Sequence, residues 1–122
     1  ATAIMTGAVR GQAGDFLIAR LPWAVIFSLA NAMMEELLFR GLFLGKMKEV
    51  IGPWGAIIIS SIIFTVEHSF ASYMSLAQVM IFLIVLMPMA LLMGYLVQKT
   101  DNLWGSTLYH AGSDVFIFYL IL

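Results

Sequence analysis

Two adjacent carboxylates and an arginine lie inside an otherwise apolar run from Pro22 to Gly45, in the stretch Glu35-Glu36-Leu37-Leu38-Phe39-Arg40. A charged group at membrane depth costs on the order of 2.5–3.5 kcal/mol, so such groups face the protein interior and pair with one another. On a helix, Glu36 and Arg40 are four residues apart and can form an ion pair, whereas Glu35 lies about 100° away around the helix axis. The spacing therefore predicts one structural glutamate and one glutamate that is free for other chemistry.

The composition indicates a membrane protein. Of the 122 residues, 62% are hydrophobic and 11% are charged, against roughly 45–50% apolar and about 25% charged residues in ordinary soluble domains. The net charge of -1 gives no electrostatic basis for a nucleic-acid partner, which needs a basic surface. The sequence contains no cysteine, which excludes a disulfide scaffold, a thiol nucleophile and cysteine-ligated zinc.

The apolar runs predict an all-α fold, a polytopic membrane helical bundle with about four transmembrane helices. Crossing a bilayer core takes about 20 residues, and the predicted helices cover residues 22–45, 54–71, 76–97 and 103–122. Lys46, Lys48 and Glu49 are the predicted first connection, and Pro88 predicts a kink in the third helix. The predicted organisation is a polar, glycine-rich lead over residues 1–15 and one domain over residues 16–122. Lysines and arginines split three to two between the two sides, which leaves the membrane orientation open.

Further polar residues occur in the second and fourth apolar runs. Glu67 and His68 are adjacent, and Phe64 lies one helical turn before His68. His110 and Asp114 are four residues apart and share one helix face. Taken singly, each has a structural interpretation as an interhelical hydrogen-bond partner or an interfacial group. Together they predict a shared polar cavity, because each buried group needs a partner in a dry bundle and the nearest partners are the others.

Two chemistries fit such a cavity, and the residues by themselves leave both open. A carboxylate beside two imidazoles can act as a general base on a bound water, while the other groups orient the water and stabilise an oxyanion. Alternatively, His68, His110 and a glutamate can bind zinc with an open fourth position. The His-Glu-x-x-His motif of common zinc proteases does not occur.

Three motifs resemble, in order and approximate spacing, those of the CAAX protease and bacteriocin-processing family, also called Abi or type II CAAX prenyl endopeptidase-like proteins. The resemblance covers roughly residues 22–122. Its motifs are Glu-Glu-x-x-x-Arg (Glu35, Glu36, Arg40), Phe-x-x-x-His (Phe64, His68) and His-x-x-x-Asp (His110, Asp114), with Arg40-Gly41, Gly94-Tyr95 and Asn102-Leu103-Trp104 in similar framing positions.

The resemblance implies an intramembrane endopeptidase of helical fold, embedded as a multi-pass protein in a bacterial cell membrane. Its partners would be the lipid bilayer and a peptide or protein substrate at the membrane, prenylated or leader-bearing. In the scheme that the resemblance implies, Glu35 activates the water and His68 assists it. Glu36 and Arg40 fix the geometry of the site.

The same scheme assigns completion of the site and oxyanion stabilisation to His110 and Asp114. Asp114 stands where prenyl-protease members generally have asparagine. The family is often labelled metalloprotease, although a metal-independent glutamate mechanism has also been argued for it. A divalent metal such as zinc, held by Glu35, His68 and His110, therefore stays open, and the role of Glu67 is unassigned.

Two other classes of function compete with the enzyme. One is a non-catalytic membrane scaffold or immunity-type protein, and the other is a proton-coupled carrier. The complete set of Glu35, His68 and His110 favours the enzyme, because a scaffold gains nothing from buried titratable groups. Four helices without an inverted repeat leave little room for the alternating access of a carrier.

Overall fold

A computed structural model describes the backbone of residues 7–71 and 75–121, and it is helical almost throughout. The elements are α1 (Gly7–Glu36), a π-helical segment (Leu37–Phe43), α2 (Leu44–Ala71), α3 (Leu76–Thr100) and α4 (Trp104–Ile121). No strand occurs in these two ranges. The all-α prediction is therefore confirmed.

The first reversal of the chain occurs at Gly52 rather than over the predicted connection. Lys46, Lys48 and Glu49 are helical and exposed, so the prediction of a loop there was wrong. Lysine and glutamate are good helix formers, and their charges alone do not end a helix. Gly52 does end it, with φ 76° and ψ 172°, a conformation that glycine adopts without a Cβ penalty. Pro53 then suits the first turn of the following helix.

The predicted polar lead is helical where the structure describes it. The backbone of α1 begins at Gly7, whereas residues 1–6 lie outside the described residues. The division into a lead and a domain stays a prediction. Residues 72–74, which lie between the second and third predicted helices, are also outside the described residues. Pro88 lies inside α3, which continues to Thr100, and the kink there stays a prediction.

The helices form an antiparallel bundle in which α1 packs against α4, α2 packs against α3, and the π-helical segment packs against α2. Along the hairpin that reverses at Gly52, Leu44 packs against Ile57 in one core cluster, and Phe39 of the π-helical segment packs against Phe64 in another. The chain connects α2 to α3 between Ala71 and Leu76, and at the opposite end of this pair Gln98 Nε2 donates to the Pro53 carbonyl oxygen at 2.9 Å. The part of α2 after Gly52 therefore runs opposite to the π-helical segment and opposite to α3.

The residue that precedes α4, Leu103, lies beside Gly41 of the π-helical segment. The Leu103 Cδ1 atom is 3.5 Å from the position that a Cβ on Gly41 would occupy. Asp101 leaves the helical conformation with φ 50°, which aspartate tolerates better than most residues. Asn102 Oδ1 then accepts a hydrogen bond from the Trp104 N–H at 2.7 Å. The short non-helical link thus brings the chain beside the π-helical segment before α4 begins.

The outside of the bundle is apolar and the inside is partly polar. Large side chains such as Trp23, Phe27 and Ile84 are more than 70% exposed. The buried polar residues are mostly small hydroxyl-bearing ones, Ser28, Ser60, Ser61, Thr65, Ser69, Ser106 and Thr107, which allow helices to approach closely in membranes. Two stretches, Ile18–Phe70 and Val79–Thr100, are long and apolar enough to cross a membrane.

Candidate active site

Glu36 ends α1 and is fully buried in the centre of the bundle. Its Oε1 atom accepts a hydrogen bond from Arg40 Nη1 at 2.8 Å, and His110 Nδ1 lies 3.2 Å from the same oxygen. The ion pair expected from the four-residue spacing is present. Glu36 is therefore the glutamate with structural partners.

Arg40 joins three helices. It is 1% exposed, and besides the bond to Glu36 its Nη2 donates to the Ala90 carbonyl oxygen of α3 at 3.3 Å. Its guanidinium lies 4.3 Å from the centre of the Phe64 ring of α2, a cation–π contact. The buried charge is thus compensated by one carboxylate, one carbonyl and one aromatic face.

Glu35 points to a different set of partners. Its Oε1 accepts a hydrogen bond from Asn31 Nδ2 at 3.1 Å. Its Oε2 is shielded from solvent and lies 3.2 Å from His68 Nε2 and 3.6 Å from His110 Nε2. Sequence reasoning did not single out Asn31, although an amide four residues before a glutamate is a recognisable helical pair.

The orientation of His68 follows from a backbone carbonyl. Nδ1 of His68 lies 2.9 Å from the Phe64 carbonyl oxygen, which can only accept, so Nδ1 carries the proton and donates it. The Phe64 and His68 rings also pack together, with centroids 4.1 Å apart. Nε2 is consequently the nitrogen that faces Glu35.

His110 is oriented in the same sense by Glu36. Because the carboxylate accepts, Nδ1 of His110 carries the proton, and Nε2 lies 3.6 Å from both Glu35 Oε2 and Asp114 Oδ1. The His110 side chain is 2% exposed. A histidine whose second nitrogen is held by a carboxylate is the usual arrangement of a metal-binding or catalytic imidazole.

The two imidazoles and Glu35 converge on one point. One ligand atom from each of Glu35, His68 and His110 lies within 4.8 Å of the others. The Nε2 lone pairs of His68 and His110 both face Glu35 Oε2, and the electron pairs of these three atoms repel one another. A proton or a cation shared by the three atoms offsets this repulsion. Two imidazole nitrogens and one carboxylate oxygen are a donor set that holds catalytic zinc with one open position. The residues present therefore fit a divalent metal, and they also fit a proton-sharing general base.

The more exposed acids lie at the edge of this cluster. The Asp114 side chain is 27% exposed, and Asn31 reaches its carboxylate. The Glu67 side chain is 58% exposed, which agrees with its interpretation as an interfacial group and places it outside the shared polar cavity. Its Oε2 lies 3.0 Å from His68 Nδ1, whose proton already goes to the Phe64 carbonyl. The structure brings together all the other predicted site residues, Glu35, Glu36, Arg40, His68, His110 and Asp114.

Comparison with known proteins identifies the family. A family model described as type II CAAX prenyl endopeptidase Rce1-like matches residues 17–116 of the 122, a range that contains every residue of the site. Searches of curated proteins and of solved structures found no match. The family match agrees with the resemblance seen in the three motifs. The chain therefore belongs to the Rce1-like family of type II CAAX prenyl endopeptidases.

Proposed function

We propose that this protein is an intramembrane endopeptidase that hydrolyses a peptide bond of a membrane-associated substrate with water activated by Glu35. The Rce1-like family is a membrane-embedded protease family. The observation that carries the proposal for this chain is the convergence of His68 Nε2 and His110 Nε2 on the shielded Glu35 Oε2. A carboxylate in such surroundings has neighbours that can take up and return protons.

In the proposed reaction, Glu35 accepts one proton from a water molecule while the water oxygen attacks the scissile carbonyl carbon. The carbonyl electron pair moves to its oxygen and forms an oxyanion. The proton held by Glu35 passes to the amide nitrogen as the C–N bond breaks, which releases an amine and a carboxylic acid. His68, which lies 3.2 Å from Glu35 Oε2, assists these transfers. His110 stabilises the oxyanion in its doubly protonated form, in which the Nε2–H donates to the oxyanion and Asp114 balances the imidazolium charge.

Glu36 and Arg40 act by fixing His110. The shared Oε1 of Glu36 holds Arg40 Nη1 on one side and His110 Nδ1 on the other. A pre-oriented donor is worth more in a dry site than in water because it need not reorganise during the reaction. The Glu36–Arg40 pair is thus proposed to hold the His110 ring in place rather than to touch substrate.

A divalent metal is compatible with the same residues. Glu35, His68 and His110 would hold it, and when bound it would polarise the scissile carbonyl and make water more acidic. The orientation of both rings by Phe64 and Glu36 would serve either chemistry.

The proposal includes four membrane crossings. The Ile18–Phe70 stretch has 53 residues and reverses at Gly52, so it has the length for two crossings of about 20 residues each. Val79–Thr100 has 22 residues, and the 18-residue α4 would be the fourth crossing. We infer a multi-pass protein of a bacterial cell membrane, with prenylated or leader-bearing peptides as the candidate substrates.

The test is cleavage of a panel of prenylated and leader-bearing peptides in liposomes, with and without a strong chelator. Glu35→Gln removes the base and is expected to lower kcat at least about 100-fold. The matched control is Glu49→Gln, which removes an exposed carboxylate and should leave kcat unchanged. Loss of wild-type cleavage on chelation, with recovery on adding zinc, would establish the metal; full activity in chelator would establish the metal-independent mechanism.

Two results would contradict the proposed function. Glu35→Gln that cleaves as fast as the wild type would remove Glu35 from the mechanism. A wild-type protein that is folded, as judged by circular dichroism and a cooperative thermal transition, but cleaves no peptide of the panel would favour the scaffold.

A further inference from the structure

Asn31 is a polar residue of the site that none of the three motifs contains. It lies on α1 one turn before Glu35 and is partly buried. Its Nδ2 donates to Glu35 Oε1 at 3.1 Å, and the same side chain reaches the Asp114 carboxylate of α4. One amide therefore stands between two carboxylates from different helices.

The surroundings of Asn31 do not otherwise explain an amide. The neighbouring sequence is Leu29-Ala30-Asn31-Ala32-Met33, in a helix whose outer face is apolar. Burying an amide in such a setting is unfavourable unless its hydrogen bonds are made. Its hydrogen bond goes to Glu35 and its other acidic neighbour is Asp114, both acids of the active-site cluster, which ties Asn31 to that cluster rather than to helix packing.

The hydrogen bond from Asn31 fixes the orientation of the Glu35 carboxylate group, so that one oxygen faces the amide and the other faces the histidines. A glutamate side chain can rotate and exchange its two oxygens, but Oε1 is engaged by the amide. Oε2 is then the oxygen that lies 3.2 Å from His68 Nε2 and 3.6 Å from His110 Nε2. The neutral amide also separates two acids that would otherwise repel each other across the α1–α4 interface.

We propose that Asn31 is a positioning residue of the active site, whose amide holds the Glu35 carboxylate in its catalytic orientation and links it to Asp114. This inference rests on the proposed function. Asn31 acts through Glu35 and does not itself touch the reacting atoms.

The first test is the kinetics of Asn31→Leu, which keeps the size and removes the amide. A hydrogen bond to a charged group is worth enough that its loss should lower kcat by about 10- to 100-fold, with KM changed less than about threefold because ground-state binding is untouched. The matched control is Gln98→Leu, which removes an amide at the other end of the bundle and should leave kcat unchanged. Wild-type kcat in Asn31→Leu would overturn the proposal.

The second test exchanges the amide and the carboxylate. Asn31→Asp places a third carboxylate beside Glu35 and Asp114 and should be less active than Asn31→Leu. Adding Asp114→Asn restores the original number of two carboxylates and one amide, with the amide now on α4, and the double variant should recover at least about tenfold in kcat over Asn31→Asp. A double variant no better than Asn31→Asp would contradict the positioning role, because a purely structural residue gives no such rescue.

A stability cycle separates failure of this inference from failure of the proposed function. If Asn31 and Glu35 interact, the Tm losses of Asn31→Leu and Glu35→Ala in detergent should be smaller in combination than their sum. This readout needs no substrate. Additive losses would overturn the inference even if the wild type cleaves peptides, and coupled losses in a protein without cleavage would overturn only the proposed function.

Discussion

Glu35 and Glu36 are adjacent in the chain but differ in their surroundings. Glu36 shares one oxygen between Arg40 and His110 in a fully buried position. Glu35 has one oxygen on Asn31 and the other facing two imidazoles. At the scale of single residues, substitution at the two positions should therefore separate stability from activity.

Glu36→Gln is expected to destabilise the protein by about 3–5 kcal/mol, because it leaves the buried Arg40 charge without its counter-ion. Glu35→Gln is expected to change the free energy of unfolding by less than about 1 kcal/mol, since the amide oxygen still accepts the Asn31 hydrogen bond. Chemical unfolding in detergent, followed by circular dichroism, measures both. Equal losses of unfolding free energy in the two variants would contradict the assignment of Glu36 as the structural glutamate and Glu35 as the glutamate free for chemistry.

Glu67→Gln is expected to lower kcat/KM by less than about threefold. The Glu67 side chain is 58% exposed, and the His68 Nδ1 proton has the Phe64 carbonyl as its acceptor. His68→Ala is the reference and should lose at least about 100-fold. If Glu67→Gln matched the loss in His68→Ala, Glu67 would have to be included in the catalytic machinery.

At the scale of elements, two short breaks determine how the helices meet. Gly52 reverses the chain in a single residue, and Asp101 begins the link that brings Leu103 beside Gly41. The charged residues Lys46, Lys48 and Glu49, which the sequence marks as a loop, extend the helix instead. Backbone conformation, rather than polarity, decides where these helices end.

Gly52→Ala is expected to destabilise the fold by about 1–2 kcal/mol, because an L residue is strained at this φ. No atom would lie within 4 Å of the added Cβ, so the loss comes from backbone strain alone. Gly45→Ala is the matched control: it also meets open space, lies inside a helix, and should stabilise by up to about 1 kcal/mol. Opposite signs in the two Tm shifts are the expected outcome, and a neutral Gly52→Ala would contradict the assigned conformation.

At the scale of the whole molecule, the distribution of polarity favours a lipid surround. Trp23, Phe27 and Ile84 face outward, while Glu36, Arg40 and His110 are inside. A soluble bundle would reverse this arrangement. In a lipid surround, buried polar groups need partners within the protein, and Glu36, Arg40 and His110 find them in one another.

Ile84→Arg is expected to lower the yield of membrane-inserted protein, since a charge on the lipid face costs about 2.5–3.5 kcal/mol at the helix centre. Ile84 is 72% exposed, so the same change on a soluble surface would have little effect. Val50→Arg, at an 82% exposed position beside Lys48 and Glu49, is the control and should insert normally. The carbonate-resistant membrane fraction measures both, and equal insertion would contradict a lipid-facing α3.

The sequence by itself determined the class of protein, the helical fold, the Glu36–Arg40 pair and the shared face of His110 and Asp114. These follow from composition and from the 3.6-residue period, which act over a few residues. Only the tertiary structure decided that His110 lies at the depth of Glu35 and His68. That depth depends on the reversal at Gly52 and on the point along α1 where α4 begins, and helix periodicity carries no information about either. The same reason explains why Asn31 and the rim position of Glu67 emerged only once the helices were packed.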